Sequence, residues 1–138
     1  MFALTGKKAL VTGATGGIGG AIAKALQAQG ATVAISGRNE EKLQALHDEM
    51  GGKDVHILPA DLSSSEAAAD LIKRAVEAMD GVDILVNNAG LTRDGLSMRM
   101  KDDDWNDVID VNMTSTFKLA QAAQRGMMKQ RFGRIINI

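Results

Sequence analysis

Short, nearly continuous apolar runs alternate along this chain with longer stretches in which apolar residues recur at helical spacing. The runs Lys8–Thr12 (KALVT), Thr32–Gly37 (TVAISG), Val55–Pro59 (VHILP), Asp83–Asn87 (DILVN) and Arg134–Ile138 (RIINI) predict strands. They lack the apolar–polar alternation of a sheet with one wet face, as expected when helices cover both faces. Helices are predicted in the gaps, over Ile18–Gln29, Glu40–Met50, Ser64–Met79 and Asp102–Lys129. Ser63, with Glu66 three residues on, reads as a capping box opening the third helix. Asp102, Asp103 and Asp104 open the fourth, where the positive helix end favours carboxylates. Strand–helix alternation with right-handed crossovers gives an α/β fold around a parallel sheet.

Composition narrows the class without changing that picture. The 138 residues are 45% hydrophobic and 24% charged, with a net charge of −1. This is ordinary globular usage, and it favours neither nucleic acid nor an anionic membrane as a partner. The chain has no cysteine, which removes disulfides, thiolate chemistry and thiolate zinc sites. His47 and His56 stand apart, so a histidine metal site is not expected, and both read as surface or core residues. Gly6, Lys7 and Lys8 interrupt the first apolar run, and no small-residue cleavage site follows, so a signal peptide is not expected. No run approaches membrane-spanning length. With no linker and no repeat, residues 1–138 are expected to form one domain of a cytoplasmic enzyme or binding protein.

The junction of first strand and first helix is TGATGGIG, Thr12–Gly19. A helix N-terminus offers unpaired N–H groups and a positive dipole end to a phosphate, provided side chains do not block it. Gly13 permits the tight turn, Gly17 a close approach of backbone to ligand, and Gly19 close packing of helix on sheet. A ligand-free glycine turn is the alternative, but the strand before and the helix after favour a dinucleotide cradle. Its candidate residues are Gly13, Ala14, Thr15, Gly16, Gly17, Ile18 and Gly19. At the end of the second strand, an acid would hold the ribose 2′-hydroxyl of NAD. Here the sequence is Ser36–Asn39 (SGRN), with Arg38 and no acid, so the expected cofactor is NADP (NADPH). A merely solvated Arg38 is the alternative.

Together with NNAG (Asn87–Gly90) and the Asn within DVNMTSTF, this loop makes the chain resemble the short-chain dehydrogenase/reductases. The run Leu91–Asn112, LTRDGLSMRMKDDDWNDVIDVN, is most like the bacterial 3-oxoacyl-[acyl-carrier-protein] reductases of that family. The resemblance implies a doubly wound Rossmann sheet of strand order 3-2-1-4-5, followed by further strands. It implies that Asp61 accepts from the adenine amino group and that Leu62 lies by the same ring. A helix-capping role for Asp61 is the alternative, disfavoured because Ser63 is read as the cap. It also implies that Asn88, Ala89 and Gly90 line the ribose and nicotinamide. Asn112 shares an apolar stripe with Trp105, Val108 and Ile109. In the family the matching Asn joins Ser, Tyr and Lys in a catalytic tetrad and orders a water of the proton relay; a satisfied core Asn is the other reading.

Two features depart from the family pattern. Gly16 stands where members often carry a basic residue. The Ser, Tyr and Lys that complete the tetrad in the family are not among the 138 residues, and Tyr is absent throughout. The 138 residues alone are therefore not expected to turn over substrate. For the whole protein the resemblance implies reduction of 3-oxoacyl-[acyl-carrier-protein] by NADPH. It also implies docking of the acidic carrier at an arginine matching Arg131, and a homotetramer whose interface uses the Asp102–Lys129 helix. A solvated basic face is the alternative for Arg131. Two further readings stay open: another reductase of the family, acting on a sugar, steroid or small alcohol, or a cofactor-binding half without catalysis.

Overall fold

All five apolar runs are strands in the computed structural model, which describes residues 3–64, 66–90 and 95–138. They are β1 (Lys8–Val11), β2 (Thr32–Ile35), β3 (Val55–Ile57), β4 (Ile84–Asn87) and β5 (Arg134–Asn137). They form one parallel sheet in the order β3-β2-β1-β4-β5, the doubly wound arrangement. Helices α1 (Gly17–Ala28) and α2 (Glu40–Glu49) connect the first three strands, and α3 (Ala67–Met79) joins β3 to β4. Helices α4 (Asp102–Ile109) and α5 (Ser115–Gln130) precede β5. Residues 91–94, which open the run quoted above, and Ser65, inside the predicted Ser64–Met79 helix, lie outside the described residues.

The continuous apolar runs have a direct cause. Successive strand side chains point to opposite faces, and both faces are covered. Leu10, Ala34 and Leu85 pack with Leu71, Ala75, Leu119 and Ala123 of α3 and α5. Ala9, Val11, Val33, Ile35 and Val86 pack on the other face with Ala23, Leu43 and Leu46 of α1 and α2. Leu10, Leu71, Leu85 and Leu119 are almost wholly buried, each contributing about 1.5–3 kcal/mol relative to exposure. No helix among the described residues is long and apolar enough to cross a membrane.

Two expectations about helices are corrected. The third helix begins at Ala67, and neither Ser63 nor Glu66 makes a capping side-chain bond. Ser63 instead donates to Asp61, through its backbone N–H (3.0 Å) and its hydroxyl (2.6 Å), so a local turn has taken the hydroxyl that the cap needed. The long fourth helix is divided: Asp110–Thr114 form a π-helical turn between α4 and α5. The apolar stripe proposed for Asn112 also dissolves, since α4 has no buried residue and Trp105 is 58% exposed.

Candidate functional site

β1 and β4 are adjacent, yet their chains continue to opposite sides of the sheet, so a crevice opens beyond their carboxyl ends. Thr12, fully buried, fixes that crevice. Its hydroxyl donates to the Val86 carbonyl (3.3 Å) and accepts from the N–H groups of Asn88 (3.0 Å) and Ala89 (2.9 Å). The Asn88 side-chain amide donates back to the Gly13 carbonyl (3.2 Å). The glycine loop and the segment after β4 are thereby tied into one rigid rim.

The glycines divide into two kinds. Gly13 has φ +62°, and a Cβ there would lie 2.6 Å from the Asn88 carbonyl oxygen. A Cβ on Gly19 would overlap the Gly13 carbonyl and come within 2.7 Å of the Asn88 amide. Gly17 is different: a Cβ there would meet nothing within 4 Å. The helix following the loop is capped at Gly16 with no side-chain bond, so its first N–H groups have no side-chain acceptor. Ile18 is exposed beside them and Ala14 is buried beneath, its N–H donating to the Ser36 carbonyl (3.0 Å).

Above the strand ends lies a cleft of about 510 Å³, a size typical of ligand pockets. The glycine loop contributes Thr12, Gly13 and Thr15; the end of β2 contributes Ser36, Gly37 and Arg38. Ala60, Asp61 and Leu62 follow β3, Ala89 and Gly90 follow β4, and Val111 comes from the π-helical turn. Asn39 and Lys42 close the side toward α2. The Ser36 hydroxyl in this lining is buried without a hydrogen-bond partner among the described residues. An orphaned polar atom there suits a wall built for a polar ligand. Asp61 is exposed at the mouth. The two Ser63 bonds, aided by the nearby Arg38 charge and opposed by slight burial, hold its carboxyl below the usual range, so it is ionised at neutral pH. These features fit a dinucleotide: glycine backbone for the pyrophosphate, Arg38 for a 2′-phosphate, and Asp61 with Leu62 for the adenine.

Asn112 sits in the π-helical turn, half-buried, and a Cβ on Gly90 would lie 2.9 Å from its side-chain oxygen. It therefore stands directly behind the cleft wall. Ser115 anchors this turn, its hydroxyl lying 2.6 Å from the carbonyls of both Leu62 and Asp110. Single π-helical turns recur at functional sites, where they re-aim side chains. Of the sequence candidates, Gly13, Thr15, Arg38, Asp61, Leu62, Ala89 and Gly90 line the cleft. Ala14, Gly16 and Gly17 border a second recess toward α2, and Gly19 and Asn88 hold the rim from within. Sequence reasoning missed Thr12, Ser36, Gly37, Asn39, Lys42, Ala60 and Val111. Lys42 could have been found, since it follows Arg38 by four residues at a predicted helix start; the others depend on contacts across the sheet. Arg131 is elsewhere, in the left-handed conformation (φ 57°) after α5.

A family model described as short chain dehydrogenase matches residues 7–138. Nodulation protein G of Rhizobium sp. (strain N33) is 53% identical over 138 residues, covering 100% of this chain and 56% of that protein. The 3-oxoacyl-[acyl-carrier-protein] reductase FabG of Escherichia coli (strain K12) is 50% identical over 135 residues, covering 96% of this chain and 54% of that protein. Among solved structures, a 3-oxoacyl (acyl-carrier-protein) reductase from Agrobacterium tumefaciens C58 with NADP bound superposes with a TM-score of 0.91 at 35% identity. That match covers 99% of this chain and 53% of the other. The chain spans about half the length of the curated relatives it matches.

Proposed function

Because the chain belongs to the short-chain dehydrogenase family, we propose that it forms the cofactor-binding part of an NADPH-dependent reductase acting on 3-oxoacyl-[acyl-carrier-protein]. The observation that carries this reading is the cleft itself, with an uncharged glycine-rich loop at one wall and Arg38, not an acid, after β2. The substrate part draws support from the 50% identity to the Escherichia coli reductase. The nodulation protein is equally similar, which favours one second reading: a reductase of this family acting on another carbonyl substrate.

The bound cofactor supplies a hydride for carbonyl reduction. The chain's own residues bind and orient. Gly13, Thr15, Gly16, Gly17 and the first turn of α1 receive the pyrophosphate, and Arg38 the 2′-phosphate. Asn88 fixes the rim on which Ala89 and Gly90 meet the nicotinamide half. Asn112, whose side-chain oxygen lies beside Gly90, would order a water of the proton relay. The Ser, Tyr and Lys of that relay are not among these residues.

The carrier contact at Arg131 is also proposed. Phe132 beside it is flanked by Lys7 (3.7 Å from the ring centre) and Arg134 (4.9 Å), giving a basic face suited to an acidic partner. Arg131 follows the end of α5 away from Asn112, near the amino ends of the strands, where the next residue, Phe132, lies against Lys7. A carrier docked there would serve the site of a neighbouring subunit more readily than this one.

The test is turnover of an acetoacetyl thioester by the whole protein. NADPH is expected to be preferred over NADH, and Arg38→Asp to weaken NADPH by at least about tenfold, since attraction becomes repulsion. Equal use of both cofactors by the unmutated protein would overturn the cofactor reading. Faster turnover of a sugar or steroid would overturn the substrate reading.

A further inference from the structure

We propose that Lys42 supplies a second positive charge for the cofactor's 2′-phosphate, replacing the basic side chain that the glycine loop lacks at Gly16. The inference rests on the NADPH reading above. A 2′-phosphate carries nearly two negative charges at neutral pH, and Arg38 alone brings one positive charge, beside the ionised Asp61. That balance leaves the phosphate under-compensated. The glycine loop offers no help, since Thr12–Gly19 contains no charged residue. Space does not forbid one: a Cβ on Gly16 would meet only the Gly13 carbonyl, at an ordinary 3.6 Å.

Lys42 is placed where that missing charge would act. It lines the cleft together with Arg38 and Asp61, and it also lines the recess of about 390 Å³ bordered by Gly16 and Gly17. Its backbone is fixed, because its N–H donates to the capping Asn39 side chain (3.1 Å). Glu49, the acid of that recess, is paired with Lys24. Lys42 has no carboxylate partner among the described residues. Its position also runs against helix electrostatics. It is the third residue of α2, after Glu40 and Glu41, in the first turn where the positive dipole end favours those carboxylates and disfavours a cation. An anion in the cleft removes that conflict.

The test uses calorimetric titration of the whole protein with adenosine 2′,5′-bisphosphate and with 5′-AMP, so no turnover is needed. Lys42→Ala is expected to weaken the bisphosphate roughly threefold to tenfold while 5′-AMP binding holds steady. Lys42→Arg should retain the affinity, and Gly16→Arg should restore it in the Lys42→Ala background. Added salt should weaken the bisphosphate less steeply in Lys42→Ala than in the parent, because one screened contact is gone. An unchanged melting temperature guards against a folding effect. Equal loss for both nucleotides, or no loss, would overturn the proposal while leaving the NADPH reading intact. If the unmutated protein does not distinguish the two nucleotides, the NADPH reading fails and this inference fails with it.

Discussion

Gly17 and Gly19 are two residues apart in one motif, yet they answer to different constraints. Gly19 is fixed by the protein, whose Gly13 carbonyl and Asn88 amide occupy the place a side chain would take. Gly17 faces open space, so whatever constrains it comes from outside the chain. Alanine substitutions should therefore have opposite signs. Gly19→Ala is expected to destabilise the fold by about 1–3 kcal/mol through overpacking. Gly17→Ala should stabilise α1 slightly, by up to about 1 kcal/mol, through helix propensity. It should also weaken NADPH by crowding the phosphate. Urea denaturation and cofactor titration of the two variants check this. Equal destabilisation by both, with cofactor binding retained in Gly17→Ala, would contradict the division.

At the scale of elements, the π-helical turn is the part that brings the proposed catalytic Asn112 to the cleft. It inserts between α4 and α5 and delivers Val111 to the cleft and Asn112 to Gly90. Ser115, at the start of α5, bridges this turn to the Asp61–Leu62 segment. A buried hydroxyl between two carbonyls is worth roughly 1–2 kcal/mol. Ser115→Ala should lower stability by about that amount and also weaken cofactor binding, because Leu62 and Val111 face the same cleft. Chemical denaturation and nucleotide titration read the two effects separately. Loss of stability with full cofactor affinity would show that Ser115 serves the fold alone. The corrected capping box belongs to this scale too: Ser63 is committed to Asp61, and the energy goes into holding a loop of the cleft, not into starting α3.

For the molecule as a whole, several large apolar side chains of α4, the π-helical turn and α5 are exposed. Trp105, Met113, Phe117 and Met128 are 58%, 64%, 64% and 77% exposed. Met113 lies in the π-helical turn and Phe117 in the first turn of α5, while Leu119, Ala123 and Met127 face the core. Exposed apolar residues of this kind suit an interface, and we propose this face as one contact of a homotetramer. Phe117→Glu in the whole protein should convert the assembly to a smaller species, measured by sedimentation or light scattering. An unchanged mass would remove this face from the interface.

The sequence by itself determined the five strands and their parallel covering by helices, because a strand buried on both faces must be apolar throughout. It also determined the glycine loop and the presence of Arg38, in place of an acid, after the second strand, since these depend on residue type at a fixed place along the chain. Tertiary structure decided what depends on partners distant in sequence. Thr12 reaches residues more than 70 positions away, and no local pattern marks it as the rim's tie. Asn112 was legible as a candidate, but its reason was misread. Helical spacing assumes an unbroken 3.6-residue period, and the π-helical turn interrupts it, so Asn112 lies beside Gly90 at the cleft wall and not on an apolar stripe running through α4. Lys42 shows the same limit: its charge was visible in the sequence, but its place beside Arg38 and Gly16 required α2 to pack against the loop.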